Sequence, residues 1–179
     1  MTFLEAVLVV LVTTAGIWDV VTGKIPNGLT YPACACGIAA AAAGAPPGLA
    51  SSLLGFAVGF VPFLALYALG SMGGGDVKLM AAVGALGGYP FVVNAMVSAV
   101  LFGGLIAALM VIWEGQTWAA ARYVGSTLTG LFRPNRDRET FDVRRTVPFG
   151  VAICLGAFLA LAAAWQGKGS PAGLLTSLF

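Results

Sequence analysis

Long apolar runs separated by short turns are the feature of this sequence that most limits what it can fold into. Hydrophobic residues make up 59% of the 179 positions and charged residues only 9%, whereas soluble domains carry about 25% charged residues. So little polar surface cannot cover a globule in water. Helices of about 20 apolar residues cross a bilayer because they satisfy every backbone hydrogen bond internally. The sequence therefore predicts an all-α, polytopic integral membrane protein embedded in a lipid bilayer.

The apolar runs predict about six transmembrane helices in one bundle, which together form a single membrane-embedded domain over residues 1–179. The predicted helices cover residues 3–21, 29–45, 51–70, 76–88, 91–113 and 147–165. The fourth run rises only about 18 Å, against a hydrocarbon core of about 30 Å. It is therefore expected to be either a short span, in a thinned or protein-shielded region of the membrane, or a segment that turns back.

Positive charge decides how many of the runs cross. If all six do, one face collects eight of the nine basic residues and only Lys168 lies opposite. The eight are Lys24, Lys78, Arg122, Arg133, Arg136, Arg138, Arg144 and Arg145. Because basic residues favour cytoplasmic loops, the sequence predicts six crossings, both termini in the periplasm and a long cytoplasmic loop at residues 114–146. No basic residue precedes the first run, so it is expected to be a retained helix rather than a signal peptide.

Composition also argues against several classes of function. The net charge is only +2, which gives no general attraction to nucleic acid. The three cysteines, Cys34, Cys36 and Cys154, lie inside apolar runs, and the chain has no histidine. A structural zinc site needs about four nitrogen or sulfur ligands at workable spacing. No metal ion or other cofactor is therefore expected.

Two aspartates, Asp19 and Asp76, fall at the same predicted depth near the cytoplasmic face. Ionisable groups within membrane segments are costly and usually functional. If the two carboxylates meet, they cannot both ionise easily, so one holds a proton while the other is charged. Such a pair supports aspartic hydrolysis, in which the charged partner takes a proton from water and the protonated one polarises a carbonyl group. On these residues alone, relay of protons or ions across the membrane is an equal alternative.

Three glycines, Gly73, Gly74 and Gly75, come directly before Asp76. They allow backbone conformations closed to other residues and leave room for a second peptide strand beside the carboxylate. A phosphate-binding loop would continue Gly-Lys-Ser/Thr, and the aspartate found here would repel phosphate instead. A simple turn in which Asp76 caps the next helix is the structural alternative.

Three stretches carry a resemblance to a known family. Residues 73–79 read GGGDVKL, residues 19–27 read DVVTGKIPN and residues 147–150 read VPFG. The first resembles the GxGDxKL signature of the type IV prepilin peptidases, which belong with the GxGD membrane aspartic peptidases. The second resembles the first-aspartate region of that family. The third is similar to its Pro-Tyr-Gly element at the start of the last helix, with Phe149 in place of the usual tyrosine.

The resemblance implies an aspartic endopeptidase that removes the N-terminal leader from type IV prepilin or pseudopilin precursors at the cytoplasmic face of the bacterial inner membrane. Asp19 and Asp76 would be the catalytic pair, and family substrates enter with a hydrophobic helix in the bilayer. The residues expected to shape the site are Gly73, Gly74, Gly75, Lys78, Pro26, Asn27, Pro148 and Gly150. Lys78 would orient the site, meet an acidic residue of the substrate, or simply extend toward the membrane surface.

Many bacterial members of the family carry a cysteine-rich, zinc-binding cytoplasmic insert associated with N-methylation, and this chain has no paired CxxC sequence. Methyltransferase activity is therefore not expected, and the chain resembles the minimal peptidase-only form found with tad/Flp-type pilus systems. The main alternative is a small proton- or ion-coupled membrane transporter that uses Asp19 and Asp76 as relay carboxylates. A second alternative, an assembly subunit without catalysis, predicts that replacing either aspartate by asparagine leaves activity intact.

Overall fold

The described residues of the chain are helical, as the sequence predicts. The computed structural model describes residues 2–70, 72–113 and 149–165. Their helices are α1 (Phe3–Thr22), α2 (Asn27–Ala42), α3 (Leu49–Ala68), α4 (Gly74–Trp113) and α5 (Phe149–Trp165). Three helical stretches, Phe3–Thr22, Leu49–Ala68 and Gly74–Leu109, are long and apolar enough to cross a membrane. The count of six crossings stays a prediction, and the predicted loop 114–146 lies outside the described residues.

Helix α4 is broken at Gly88 into a first arm (residues 74–87) and a second arm (residues 89–113). Gly88 has φ 80° and ψ 178°, a conformation that only glycine adopts at low cost. The break frees the backbone N–H of Tyr89, which donates a hydrogen bond of 3.2 Å to Ser51 Oγ on α3. A Cβ at position 88 would also lie 2.6 Å from that same oxygen and 2.8 Å from Pro47. The chain therefore changes direction where a glycine meets a closely packed loop.

The first arm of α4 is buried by protein rather than by lipid. Its apolar side chains have no exposed surface at Leu79, Met80, Ala82, Val83 and Ala85. A short arm that rises only about 20 Å is thus surrounded by the other helices of its compact unit. This arrangement matches the shielded alternative for the fourth run.

Glycines let the neighbouring helices approach the first arm closely. Gly55 of α3 and Gly84 of the first arm meet backbone to backbone, and a Cβ on Gly59 would lie 2.6 Å from the carbonyl oxygen of Met80. Beyond the Gly55 contact, toward the break at Gly88, Ser52 Oγ donates a hydrogen bond of 2.7 Å to the carbonyl of Ala85. Small residues at such spacing are typical of close packing between membrane helices.

Helices α1 and α5 also pack through small residues. A Cβ on Gly16 of α1 would lie 3.1 Å from Cys154 Sγ of α5, and that thiol donates a hydrogen bond of 2.8 Å to the carbonyl of Val12. Leu8, Leu11, Ala15, Ile153, Ala157 and Leu161 are among the buried residues of the same core. This packing fixes the last turn of α1 beside the first turn of α5.

Contacts divide the chain into two compact units. One comprises Met1–Gly103 with Pro148–Phe179, and the other comprises Gly104–Val147. The described part of the second unit is the end of α4 alone, and the core and both aspartates belong to the first unit. That the whole chain forms one peptidase domain stays a prediction.

The close approach of Gly55 to Gly84 predicts that Gly55→Ala destabilises the fold. Its Cβ would enter the backbone of the first arm at Gly84 and lie 2.7 Å from the carbonyl carbon of Gly88 at the break, and overpacking of this kind costs about 1–3 kcal/mol or more. The measurement is the thermal unfolding midpoint in detergent. Gly28→Ala is the matched control, because a Cβ at that helical position meets no atom within 4 Å. Equal midpoints for the two variants would contradict the packing.

Candidate active site

Asp19 lies in the last turn of α1 and is buried, with 8% of its surface exposed. The helix ends four residues later at Gly23, whose φ is 65° and whose N–H donates to the carbonyl of Asp19. The Asp19 carboxylate faces the first turn of α5, where the backbone N–H groups of Gly150 and Val151 lie against it. A helix start presents free N–H groups to an acidic side chain, so α5 orients this carboxylate.

Gly150 fits this position because it has no side chain. A Cβ there would lie 2.6 Å from Asp19 Oδ2 and 2.7 Å from its Cγ. These separations are too short for any other residue unless the carboxylate moves. Gly150, expected from the sequence to shape the site, is therefore in contact with Asp19.

One oxygen of Asp19, Oδ2, is buried and has no hydrogen-bond partner among the residues that the structure describes. Burial of an unsatisfied carboxylate oxygen is costly, and native proteins seldom retain one without a reason. Such an atom is suited to bind a water molecule or a substrate group that enters the site.

Asp76 lies in the first turn of α4 and is also buried, with 9% of its surface exposed. Its Oδ2 accepts a hydrogen bond of 3.3 Å from the backbone N–H of Gly73, and its own N–H donates to the carbonyl of Gly73 at 3.2 Å. This local turn fixes the orientation of the carboxylate. The alternative in which Asp76 is the N-cap is wrong, because α4 begins two residues earlier at Gly74 and the Asp76 carboxylate accepts from the residue before the helix.

The two aspartates come from separate helices and lie at the same end of their compact unit. The carboxylates are near enough for the charge of Asp19 to act on Asp76. Their segments also touch, because a Cβ on Gly75 would lie 3.1 Å from the Cβ of Ile25 and 3.3 Å from its backbone nitrogen. The absence of a side chain at Gly75 therefore brings the turn after α1 against the start of α4.

Lys78 and Asn27 join the starts of α4 and α2. Lys78 Nζ donates a hydrogen bond of 2.9 Å to Asn27 Oδ1 and lies 5.2 Å from the centre of the Tyr31 ring. Pro26 is the residue before α2, with φ −70° and ψ 137°, and makes no side-chain cap. Of the other predicted site residues, Gly74 lies near Tyr67, because a Cβ at position 74 would be 3.4 Å from that ring, and Pro148 lies outside the described residues.

Ile25, Tyr31 and Val151 contact the site and were not predicted from the sequence. Tyr31 lies four residues after Asn27, and this spacing places both side chains on one helical face, which is a signal that could have found it. Ile25 and Val151 are ordinary apolar residues, and no sequence pattern distinguishes them. Among the described residues, no group of three or more histidine, cysteine, aspartate or glutamate side chains could hold a metal ion.

An apolar groove runs beside Asp19 between α1 and α5. It is lined by Gly16, Ile17, Val20, Val21 and Val151. Ile17, Val20 and Val21 are largely exposed, at 62%, 68% and 76% of their surfaces. Asp19 is not among the lining residues, and Val151, whose backbone N–H lies against the Asp19 carboxylate, connects the groove to the site.

Comparison with known proteins gives one match. The sequence model of the type IV leader peptidase family matches residues 6–112, a range that includes Asp19, Asp76 and the helices that carry them. No curated protein and no solved structure matches the chain. The family predicted from the three sequence stretches is confirmed, because the match covers more than half of the chain. The chain belongs to the type IV leader peptidase family.

Proposed function

We propose that this protein is a membrane aspartic endopeptidase that removes the N-terminal leader from type IV prepilin or pseudopilin precursors. The observation that carries the proposal is the pair of buried carboxylates, Asp19 and Asp76, on separate helices and within electrostatic reach of each other. The unpartnered Oδ2 of Asp19 supports it, since a hydrolase needs a carboxylate oxygen available to water or substrate. Membership in the leader peptidase family supports the class of substrate.

The two carboxylates would share one proton, because like charges at short range cannot both ionise easily. The charged carboxylate takes a proton from water as the water oxygen attacks the carbonyl carbon of the scissile peptide bond. The protonated carboxylate donates a hydrogen bond to the carbonyl oxygen and so stabilises the charge that develops there. When the tetrahedral intermediate collapses, the C–N bond breaks and the leaving nitrogen receives a proton from the pair.

The surroundings of the pair suit a substrate that is anchored in the bilayer. The groove between α1 and α5 is lined by Gly16 and apolar side chains and connects to Asp19 through Val151, which supports a hydrophobic substrate segment rather than a charged one. Asp19 and Asp76 lie in the last turn of α1 and the first turn of α4. A transporter is expected to place its relay acids nearer the bilayer midplane, so this position favours the peptidase over the transporter.

We expect Asp19→Asn and Asp76→Asn each to abolish leader cleavage. Loss of a group that transfers a proton in the transition state costs about 10² to 10⁴ in rate. Cleavage of a prepilin is followed by gel mobility in membranes that contain equal amounts of each protein. Glu5→Gln is the matched control, because Glu5 caps the far end of α1 and the glutamine retains an acceptor.

Cleavage by both asparagine variants would contradict the proposed pair and favour an assembly subunit without catalysis. Absence of cleavage by the wild type with several candidate prepilins would contradict the peptidase. Proton uptake by proteoliposomes that depends on both aspartates would then favour the transporter.

Gly150→Ala is expected to lower activity through displacement of the Asp19 carboxylate. A Cβ at 2.6 Å from Oδ2 forces that group to move, and a displacement of this size reduces turnover by about tenfold or more. Gly156→Ala is the control, because its Cβ would meet Ala99 and Ala95 at 2.6 and 2.7 Å but lies almost two turns farther along α5. Both variants should lose stability. Equal turnover per folded molecule in the two would show that Gly150 has no role in orienting Asp19.

The proposed position of the site is the cytoplasmic face of the inner membrane, because Lys24 and Lys78 lie at the same end of the helices as the two aspartates. In a background without the native cysteines, we expect Lys24→Cys to react with an impermeant maleimide only in inverted vesicles. Ala43→Cys, at the other end of α2, should react only in right-side-out vesicles. The reverse pattern would place the site on the periplasmic side.

A further inference from the structure

Lys78 makes two contacts with the first turns of α2 and none with an acidic side chain in the described part of the chain. Its Nζ donates to Asn27 Oδ1 at 2.9 Å and lies 5.2 Å from the centre of the Tyr31 ring. We call these three residues the Lys78 clip. The clip joins the first arm of α4, which carries Asp76, to the start of α2.

Simple charge attraction does not explain the clip. The N-terminus of a helix carries a partial positive charge, so a lysine ammonium is disfavoured at the start of α2. The Asn27 carbonyl oxygen and the electron-rich face of Tyr31 offset this repulsion by accepting the ammonium. Asp76 is not the partner, because side chains two residues apart on a helix do not face each other. The ammonium group of Lys78 is therefore held by a hydrogen bond to Asn27 and by the Tyr31 ring.

A second contact, between Ile25 and Gly75, connects the first turn of α4 to the segment that follows α1, the helix that carries Asp19. At the end of α1, Thr22 Oγ1 accepts the N–H of Lys24 at 3.3 Å, and its single hydrogen lies within reach of the carbonyls of Trp18 at 2.8 Å and Lys24 at 3.0 Å. In this turn Ile25 packs against Gly75, the residue directly before Asp76. Hydrogen bonds and packing therefore run without a gap from the end of α1, through the turn, to the start of α4.

The start of α4 needs such an attachment. It follows Gly73 and contains Gly74 and Gly75, and glycines restrict the backbone less than any other residue. The hydrogen bond from Gly73 orients the Asp76 carboxylate within its own turn, but that bond cannot fix the turn relative to α1. The contacts at Gly75 and at Lys78 lie on either side of Asp76 in the sequence, so together they hold it from both directions.

We infer that the Lys78 clip is a positioning device, which sets Asp76 against Asp19 by fixing the first arm of α4 to the start of α2. Lys78 and Asn27 act on catalysis through Asp76 and not through contact with the substrate. The inference rests on the proposed peptidase function and goes beyond it, because it gives Lys78 a partner within the protein instead of an acidic residue of the substrate.

A double-mutant cycle tests this inference in nanodiscs that contain the full chain. The four proteins are the wild type, Asn27→Leu, Lys78→Met and the double variant, and kcat and KM are measured for cleavage of a prepilin. A misplaced carboxylate lowers the rate by about ten- to a hundredfold. We expect this loss in kcat for each single variant, with KM changed by less than about twofold. The double variant should be no slower than the slower single variant, because both changes break the same contact.

Conservative variants separate positioning from bulk packing. Asn27→Asp keeps an acceptor for Lys78, and its charge suits the start of a helix. Lys78→Arg keeps a cation that donates to Asn27 and lies over Tyr31. We expect both to retain kcat within about threefold of the wild type. Thermal unfolding midpoints, measured on the same samples, report how much folded protein each one contains.

Several results would overturn the inference. Unchanged kcat in Asn27→Leu and Lys78→Met would remove the positioning role, as would a loss that only follows the amount of folded protein. A raised KM with unchanged kcat in Lys78→Met alone would mean that Lys78 contacts the substrate directly. If the wild type itself cleaves no leader, the proposed function fails and the positioning role fails with it. An active wild type beside an inactive Asp19→Asn variant shows that only the clip is in question.

Discussion

The contact between Gly55 and Gly84 is the constraint on which the rest of this structure depends. It brings the backbone of α3 against the first arm of α4 and lets a short helix lie in the centre of the unit without touching lipid. In a bilayer, association between helices gains little from the hydrophobic effect, so close van der Waals contact has to provide it. Without these glycines the first arm would lie farther out, and Asp76 would move with it.

At each aspartate of the candidate site, a glycine leaves space for a neighbouring segment of the chain. Gly75 leaves space for Ile25, and Gly150 leaves space for the Asp19 carboxylate. In each place a second segment of the chain occupies the volume where a side chain would stand. The glycines of the site are therefore parts of an interface between segments, and only Gly73 acts mainly through a hydrogen bond, to Asp76.

The sequence was sufficient to predict the helical class, and it also singled out the two aspartates that the structure buries at one end of the unit, because charge is rare in this chain and each carboxylate is conspicuous. The predicted boundary between the helices at 76–88 and 91–113 likewise falls at the break at Gly88, because Gly-Gly-Tyr-Pro at residues 87–90 combines residue types that favour turns. The burial of the first arm could not be predicted. Its residues are apolar on every side, so neither periodicity nor hydropathy tells whether lipid or protein surrounds it. The fit of Gly150 to Asp19 was hidden for a related reason, because residues 131 positions apart meet only through tertiary packing.

Two serines of α3 fix the position of the first arm at the end opposite Asp76. Ser51 binds the N–H of Tyr89 just beyond the break and Ser52 binds the carbonyl of Ala85 just before it, so the arm cannot slide along its axis. An α-helix advances about 1.5 Å and turns about 100° with each residue. The depth and direction of Asp76 are therefore measured from Gly88 by the number of residues between them. Side chains along the arm can be replaced by others of similar volume. Insertion or deletion of a residue in the arm would instead shift and rotate Asp76 relative to Asp19.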